Sequence, residues 1–321
     1  MLYLNNDHID QCGLPWKDLL DIFDDAVSAF GNGDFSQPVK PYLRYGDPLN
    51  RIIAMPAFLG GNCQAAGIKW IASFPNNPEK GVARAHSVSV LNQADNGKPL
   101  AMVNGARISA IRTAAVSALV TRWVMGRKSL DSISVGMTGF GPIGQMHLKM
   151  MAEQYGSRIS VFRIFDPRGV VLPDSLGQLP FRVETCENWE QAYRQADIFM
   201  TCTVSKGAYI NQIPKPGAFL NNVSLRDFQP VIRNHVDWMI VDDWDEVCRE
   251  KTDIEVMHQS TGLQREHVMN LPQFRAALGK LDPADVVMFN PMGLAIFDIA
   301  VLKFYVDLAQ KRGIGIELPD A

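Results

Sequence analysis

Gly139-Phe140-Gly141-Pro142-Ile143-Gly144 is a G-x-G-x-x-G that directly follows the apolar run SISVGMT and directly precedes the run IGQMHLKMM. In that setting the first glycine makes a tight turn, the second lets backbone approach a pyrophosphate, and the third lets a helix pack closely on a strand. The helix N-terminus that follows stabilises the anion. Asp166 ends the next apolar run 22 residues after Gly144, where a carboxylate can accept from both hydroxyls of an adenosine ribose. An acid there favours NAD over NADP because it would repel a 2′-phosphate, although Arg168 stands two residues on. Gly139, Gly141, Pro142, Ile143, Gly144 and Asp166 are therefore the expected NAD-binding residues.

A second set is cationic. The formal net charge is −3, yet residues 40–84 hold six basic side chains (Lys40, Arg44, Arg51, Lys69, Lys80, Arg84) against two acids, Asp47 and Glu79. Such a local excess suits an anionic substrate. Lys69 stands out because it interrupts an apolar strand pattern, Ala-Gly-Ile-Lys-Trp-Ile-Ala. A partly buried lysine needs an anionic partner or a depressed pKa, and both occur at functional sites.

Other chemistries are poorly served. The six histidines fall at no metal-ligand spacing, and there is neither H-E-x-x-H nor G-x-S-x-G. No metal is expected. The acidic run Asp242-Asp243-Trp244-Asp245-Glu246 reads best as a solvated loop after a strand. Five widely spaced cysteines without a C-x-x-C fit a reducing compartment rather than a disulfide framework or zinc site. The slightly acidic balance argues against a nucleic-acid partner. No run of about 20 apolar residues is present, and the N-terminus lacks a signal-peptide pattern. A cytoplasmic protein without a membrane partner is the expectation.

The elements that must position these residues follow from periodicity. Residues 16–30 (WKDLLDIFDDAVSAF) have helical spacing and a Gly31 stop; residues 51–59, 65–74 and 87–92 read as strands, with a hairpin turn at 95–97. Residues 108–125 form a long helix bearing Arg112 and Thr113 in its first turns. From residue 130, short apolar strands (132–138, 159–165, 181–186, 197–204, 218–223, 238–241) alternate with helical stretches at 143–154 and 189–196. That rhythm predicts a parallel sheet of right-handed βαβ units. A last helix, 294–312, ends at Gly313. The expected fold class is α/β: a Rossmann-type doubly wound parallel sheet over 114–294 and a mixed α+β substrate and dimerisation domain over 1–113. The C-terminal segment 295–321 is expected to pack back on the latter.

The segments Gly67-Ile68-Lys69-Trp70, 77–81, 95–99, Ile108-Ser109-Ala110-Ile111-Arg112-Thr113-Ala114-Ala115, Asn222-Val223-Ser224-Leu225-Arg226-Asp227 and 289–298, in this order around the glycine-rich turn, resemble the ornithine cyclodeaminase/μ-crystallin family. The resemblance spans roughly residues 40–310. It implies a substrate and dimerisation domain followed by a Rossmann domain, a homodimer, and oxidation of an amino-acid Cα–N bond with NAD(P). It also implies that Lys69 and Arg112, with Arg44, bind the substrate carboxylate. Asp227 would be the catalytic acid–base with Lys69 beside it, and Thr113, Thr203 and Gly293 would join the cofactor site.

Within the family, residues 51–56, 67–75 and 224–227 are most similar to a branch that oxidises N-(2-amino-2-carboxyethyl)-L-glutamate to 2-oxoglutarate and L-2,3-diaminopropionate for siderophores or peptide antibiotics. Two features depart from the cyclodeaminases. The turn is a full G-x-G-x-x-G rather than G-x-G-x-Q, and Asp227 follows Leu225-Arg226 instead of lying in a glycine-rich stretch. The alternatives are a cyclodeaminase, an alanine dehydrogenase or ketimine reductase, and a nucleotide-holding protein without turnover.

Overall fold

A computed structural model describes residues 1–319; the last two positions of the 295–321 segment lie outside the described residues. The chain forms two units, Met1–Ala115 with Gly293–Ala321, and Val116–Met292. The first opens with β1 (Leu2–Asn5), α1 (Asn6–Cys12), α2 (Trp16–Gly31), β2 (Phe35–Ser36), β3 (Tyr42–Leu43), β4 (Arg51–Leu59), β5 (Ala65–Ser73), β6 (Ala85–Gln93) and β7 (Pro99–Asn104). The division falls within α3 (Arg107–Met125). The second unit holds β8 (Ile133–Thr138), α4 (Pro142–Tyr155), β9 (Ile159–Phe165), β10 (Arg182–Thr185), α5 (Trp189–Tyr193), β11 (Ile198–Thr201), β12 (Phe219–Asn221), β13 (Trp238–Val241), α6 (Trp244–Val247), α7 (Asp253–Thr261), α8 (Leu271–Ala277) and β14 (Val287–Asn290). The chain then adds α9 (Ala295–Arg312) and β15 (Ile316–Glu317) to the first unit.

In the first unit the sheet order is β15-β1-β7-β6-β5-β4-β2, with β3 also paired to β4. The turn between β6 and β7 closes by Gln93 N donating to Lys98 O at 2.9 Å, and Gly97 takes φ +76°, a left-handed position suited to glycine. Lys69 lies in register with Met55 on β4 and Ser89 on β6, so these three share a face. Helix α9 covers that face; a Cβ on Gly67 would lie 2.3 Å from Val90 O of β6 and 3.1 Å from Ile299 Cδ1 of α9, so the strand needs glycine chiefly because the β6 backbone comes so close. Phe297 of α9 stacks on Phe23 of α2, centroids 5.2 Å apart. Each such ring buries apolar area worth about 1.5–3 kcal/mol. The opposite sheet face presents Ala54, Pro56 and Phe58 of β4 and Ile68 and Trp70 of β5, and Trp70 remains 44% exposed.

The second unit is a seven-stranded sheet in the order β10-β9-β8-β11-β12-β14-β13, with every pairing parallel. The order reverses between β8 and β11, which sets the ligand crevice of such sheets at the carboxyl ends of those two strands. A core of Tyr193, Phe199, Leu220, Phe228, Val241, Ile254 and Met288 packs on one face. Among the described residues one helix, α3, is long and apolar enough to cross a membrane, and 83% of its apolar window is buried within the protein. It is a core helix.

Candidate active site

Strand β8 runs into Gly139 at φ +85°, where a Cβ would lie 2.5 Å from the Cys202 carbonyl oxygen. A Cβ on Gly144 would lie 2.4 Å from the Gly139 carbonyl oxygen, so the turn and the start of α4 tolerate only glycine at both places. Gly141, by contrast, has nothing within 4 Å of its Cβ position. The open space therefore lies at the N-terminus of α4, whose first residue, Pro142, needs no hydrogen-bond acceptor. This is the cradle a dinucleotide pyrophosphate requires, and the residues present fit that group.

Asp166, one residue beyond β9, closes the same loop. Its Oδ2 accepts from Phe140 N at 2.8 Å and its Oδ1 from Arg168 N at 3.0 Å. The Arg168 guanidinium also donates to both oxygens at 3.2 Å, although its side chain is 75% exposed. Burial alone would raise the Asp166 carboxyl, but Arg168 and the Phe140 amide hold it below its usual range.

Asp227 lies in the segment after β12 and is fully buried. Thr203, just past β11, donates from Oγ1 to Asp227 Oδ1 at 2.6 Å, and Ser224 donates to Oδ2. The segment bends through Leu225 at φ +62°, a left-handed conformation that costs a side-chain-bearing residue roughly 1–2 kcal/mol. Its neighbours hold it there: Leu225 N donates to Asn222 Oδ1 at 3.2 Å, and Asp253 N donates to Leu225 O at 2.7 Å. Asp253, at the start of α7, accepts on one oxygen from Asp227 N, Phe228 N and Asn222 Nδ2, at 3.1, 3.1 and 2.9 Å. Burial pushes its carboxyl up to about 6. Nearby, burial and the Asp227 charge raise the Cys202 thiol, which leaves it protonated rather than nucleophilic.

In the first unit, Asp298 of α9 gathers the cations. Its Oδ1 accepts from Lys69 Nζ at 2.8 Å and from Arg112 Nε at 2.9 Å. Lys69 is 2% exposed, and burial lowers its ammonium to about 7, with Asp298 opposing the shift and Arg112 adding to it. Burial works against the Asp298 carboxylate, but Arg112 and Lys69 hold it below its usual range. Buried Lys40 donates to Gly293 O at 2.9 Å. Gly293 takes φ +91°, and a Cβ there would sit 2.7 Å from Arg112 Nη1. Among the described residues, Asp298 Oδ2 and Ser87 Oγ belong to the buried side-chain atoms without a hydrogen-bond partner.

The structure thus brings Lys69, Arg112 and Gly293 together, and Thr203 with Asp227. Arg44 does not join the cationic group: it is exposed, donates to Pro48 O at 2.9 Å and lies 5.4 Å from the Tyr42 ring centroid. Thr113 follows Arg112 on α3 with its hydroxyl donating to Ser109 O at 2.9 Å. In the acidic run, Asp243 caps α6 through Glu246 N at 2.9 Å, and Asp242 accepts from Met292 N at 3.0 Å. No cluster of metal-ligating side chains occurs among the described residues. Sequence reasoning missed Asp298, Asp253 and Ser224, and named Lys40 only as part of a basic stretch. The signal for Asp298 was present: like Lys69, it is a charge inside an apolar pattern.

Fold and site together define a two-unit α/β protein, one unit with a glycine turn that fits a dinucleotide and the other with buried Lys69 and Arg112 gathered on the Asp298 carboxylate. The chain belongs to the ornithine cyclodeaminase/mu-crystallin family, whose profile matches residues 11–313. It is 33% identical to N-((2S)-2-amino-2-carboxyethyl)-L-glutamate dehydrogenase of Staphylococcus aureus, over 99% of this chain and 98% of that one. It is 24% identical to alanine dehydrogenase of Archaeoglobus fulgidus, covering 95% and 94% of the two chains. Its fold is shared with the solved structure of Thermococcus litoralis Δ1-pyrroline-2-carboxylate reductase in complex with NADH and L-proline. That match has a TM-score of 0.86 at 22% identity and covers 99% of this chain and 100% of that one.

Proposed function

We propose that this chain is an NAD-dependent dehydrogenase that oxidises the glutamyl Cα–N bond of N-(2-amino-2-carboxyethyl)-L-glutamate, releasing 2-oxoglutarate and L-2,3-diaminopropionate. The observation that carries the substrate assignment is the whole-length similarity to the staphylococcal dehydrogenase of that name. The cationic group of Lys40, Lys69 and Arg112 around a single carboxylate supports it, because a substrate with three carboxylates needs an excess of buried positive charge. The T. litoralis reductase solved with NADH and the fit of residues 139–144 and 166 support the cofactor.

In this mechanism Lys69 and Arg112 bind the α-carboxylate through charge-assisted hydrogen bonds and fix the direction of the Cα hydrogen. NAD, when bound, supplies the hydride acceptor. Asp227, held by Thr203 and Ser224, takes the proton of the secondary amine as the Cα–N bond is oxidised to an imine. It returns that proton to the imine nitrogen, takes a proton from the water that adds to the imine carbon, and passes this one to the nitrogen as the C–N bond breaks to free the two products. Residues 1–113 with the 295–321 segment bind substrate and residues 114–294 bind NAD.

The product serves siderophore or peptide-antibiotic assembly in the cytoplasm. Two copies pair through the apolar sheet face around Trp70, so light scattering should give roughly twice 35.7 kDa and Trp70→Glu should give a monomer. The functional test is an assay of NADH and 2-oxoglutarate formation from N-(2-amino-2-carboxyethyl)-L-glutamate. Formation of both in equal amounts supports the reading, and proline from ornithine without net NADH contradicts it.

A further inference from the structure

Lys69 and Arg112 each spend one donor on the same oxygen, Asp298 Oδ1, while Oδ2 is buried and unpartnered. The guanidinium is held by Nε alone, which leaves its Nη1 and Nη2 end free to meet a carboxylate in fork geometry. Gly293 clears the space against that end, since a Cβ would sit 2.7 Å from Nη1 and 3.0 Å from Nη2. Lys69 keeps two further N–H donors. Both cations are therefore pinned from behind, and their remaining donors point elsewhere.

We propose that Asp298 is a positioning residue: a resident carboxylate that holds Lys69 and Arg112 in register and keeps Lys69 charged, so that the substrate carboxylate meets a prepared clamp. This rests on the reading of Lys69 and Arg112 as the carboxylate-binding pair. The charged groups facing Lys69 are Asp298 of α9, Arg112 of α3 and Lys40 of the segment between β2 and β3. Asp298 is the sole anion among them. Two buried cations without it would repel each other, and the lysine, unlike arginine, can escape by losing its proton. Replacing this anion would thus disable the clamp by neutralising Lys69, with no change at the nucleotide turn.

The test uses the full chain with NADH bound and Asp298→Asn, which keeps size and one acceptor oxygen. Lysine labelled with ¹³C at Cε reports the protonation of Lys69 by NMR, its resonance identified by its loss in Lys69→Met. In the parent protein Lys69 should titrate near pH 7, and in Asp298→Asn at clearly lower pH. In steady-state assays with the proposed substrate, the variant should raise KM by about 10-fold near pH 6.5, where Lys69 is charged in the parent and neutral in the variant, but much less at pH 9, where it is neutral in both, with kcat and NADH affinity little changed. An unshifted Lys69 titration, or a KM increase independent of pH, would overturn the proposal. The NMR arm needs no turnover, so absence of activity in both proteins would sink the substrate reading and leave this inference decided by the titration. An Asp298→Asn chain that folds only when Lys69→Met is added supports the role of counter-charge. Failure of both chains to fold would reduce Asp298 to a packing residue and overturn it.

Discussion

The hydroxyl of Thr203 donates to Oδ1 of Asp227 at 2.6 Å, joining the second residue past β11 to the bend after β12. With Ser224 on the other oxygen, the carboxylate is held at both ends within a fully buried setting. Such a group has one orientation, as a general base requires. Asp227→Asn keeps the shape but cannot take a proton. Turnover should fall by roughly 10²–10⁴ while KM and NADH affinity change little, as judged by steady-state kinetics and NADH titration. Undiminished turnover would remove Asp227 from the mechanism.

Lys69 makes substrate binding dependent on pH. Its ammonium is lowered to about 7 by burial, so the charged form that attracts a carboxylate is lost as pH rises through that value. Substrate affinity should weaken between pH 7 and 9 in wild type and be flat in Lys69→Met. The substitution removes a charge-assisted contact worth roughly 1.5–3 kcal/mol, so binding at pH 6.5 should weaken by about one to two orders of magnitude. Equal pH profiles in the two proteins would contradict this.

Much of this architecture is legible in the residues. The alternation in β4–β6 and the 3.6-residue spacing in α2 expose one face each, and the glycine turn has its strand before it and its helix after it. Strand β14 is not legible, because all four of its residues are buried and a run of three apolar residues closed by Asn290 has no period to read. The short helices α6–α8 depend on caps such as Asp243, Thr252 and Asn270 that look the same as loop polar residues. At the site, the lone charges in two apolar patterns, Lys69 and Asp298, are 229 positions apart and turn out to be partners. Each announces a buried charge, but only the packing of α9 on β5 matches them. The same distance problem hides Asp253, whose role comes from three donors in the segment after β12, 25–31 positions away.

Cofactor preference should turn on two neighbours. Asp166 already serves Phe140 N and the Arg168 guanidinium, and a ribose must share it. NADH should bind more tightly than NADPH, and Asp166→Ser should narrow the gap by removing repulsion of a 2′-phosphate while leaving Arg168 to attract it. Titration by fluorescence checks this; NADPH binding as tight as NADH in wild type would assign the pocket to Arg168.

His147 should make the fold sensitive to acid. Its ring is fully buried between Ile143 O at 2.8 Å and Ser117 Oγ at 2.9 Å, and burial lowers it to about 4. The unfolded chain binds this proton more readily than the folded one, so the stability His147 contributes is present above pH 6.5 and is lost as pH falls towards 4. The contribution is on the order of 3 kcal/mol. Asp253, raised to about 6, acts in the opposite sense across the same range, so the measurement is a difference. Denaturant unfolding of wild type and His147→Gln should show wild type losing more stability between pH 6.5 and 4.5. Parallel profiles would show that the ring is protonated in the folded state.

The most direct measurement of the central claim is a product balance at neutral pH with NAD and N-(2-amino-2-carboxyethyl)-L-glutamate, run beside ornithine, alanine and glutamate. NADH, 2-oxoglutarate and L-2,3-diaminopropionate should appear in a 1:1:1 ratio from the first substrate, with far slower turnover of the other three. NADH binding with no turnover of any amino acid, or proline and ammonia from ornithine without net NADH, would contradict it.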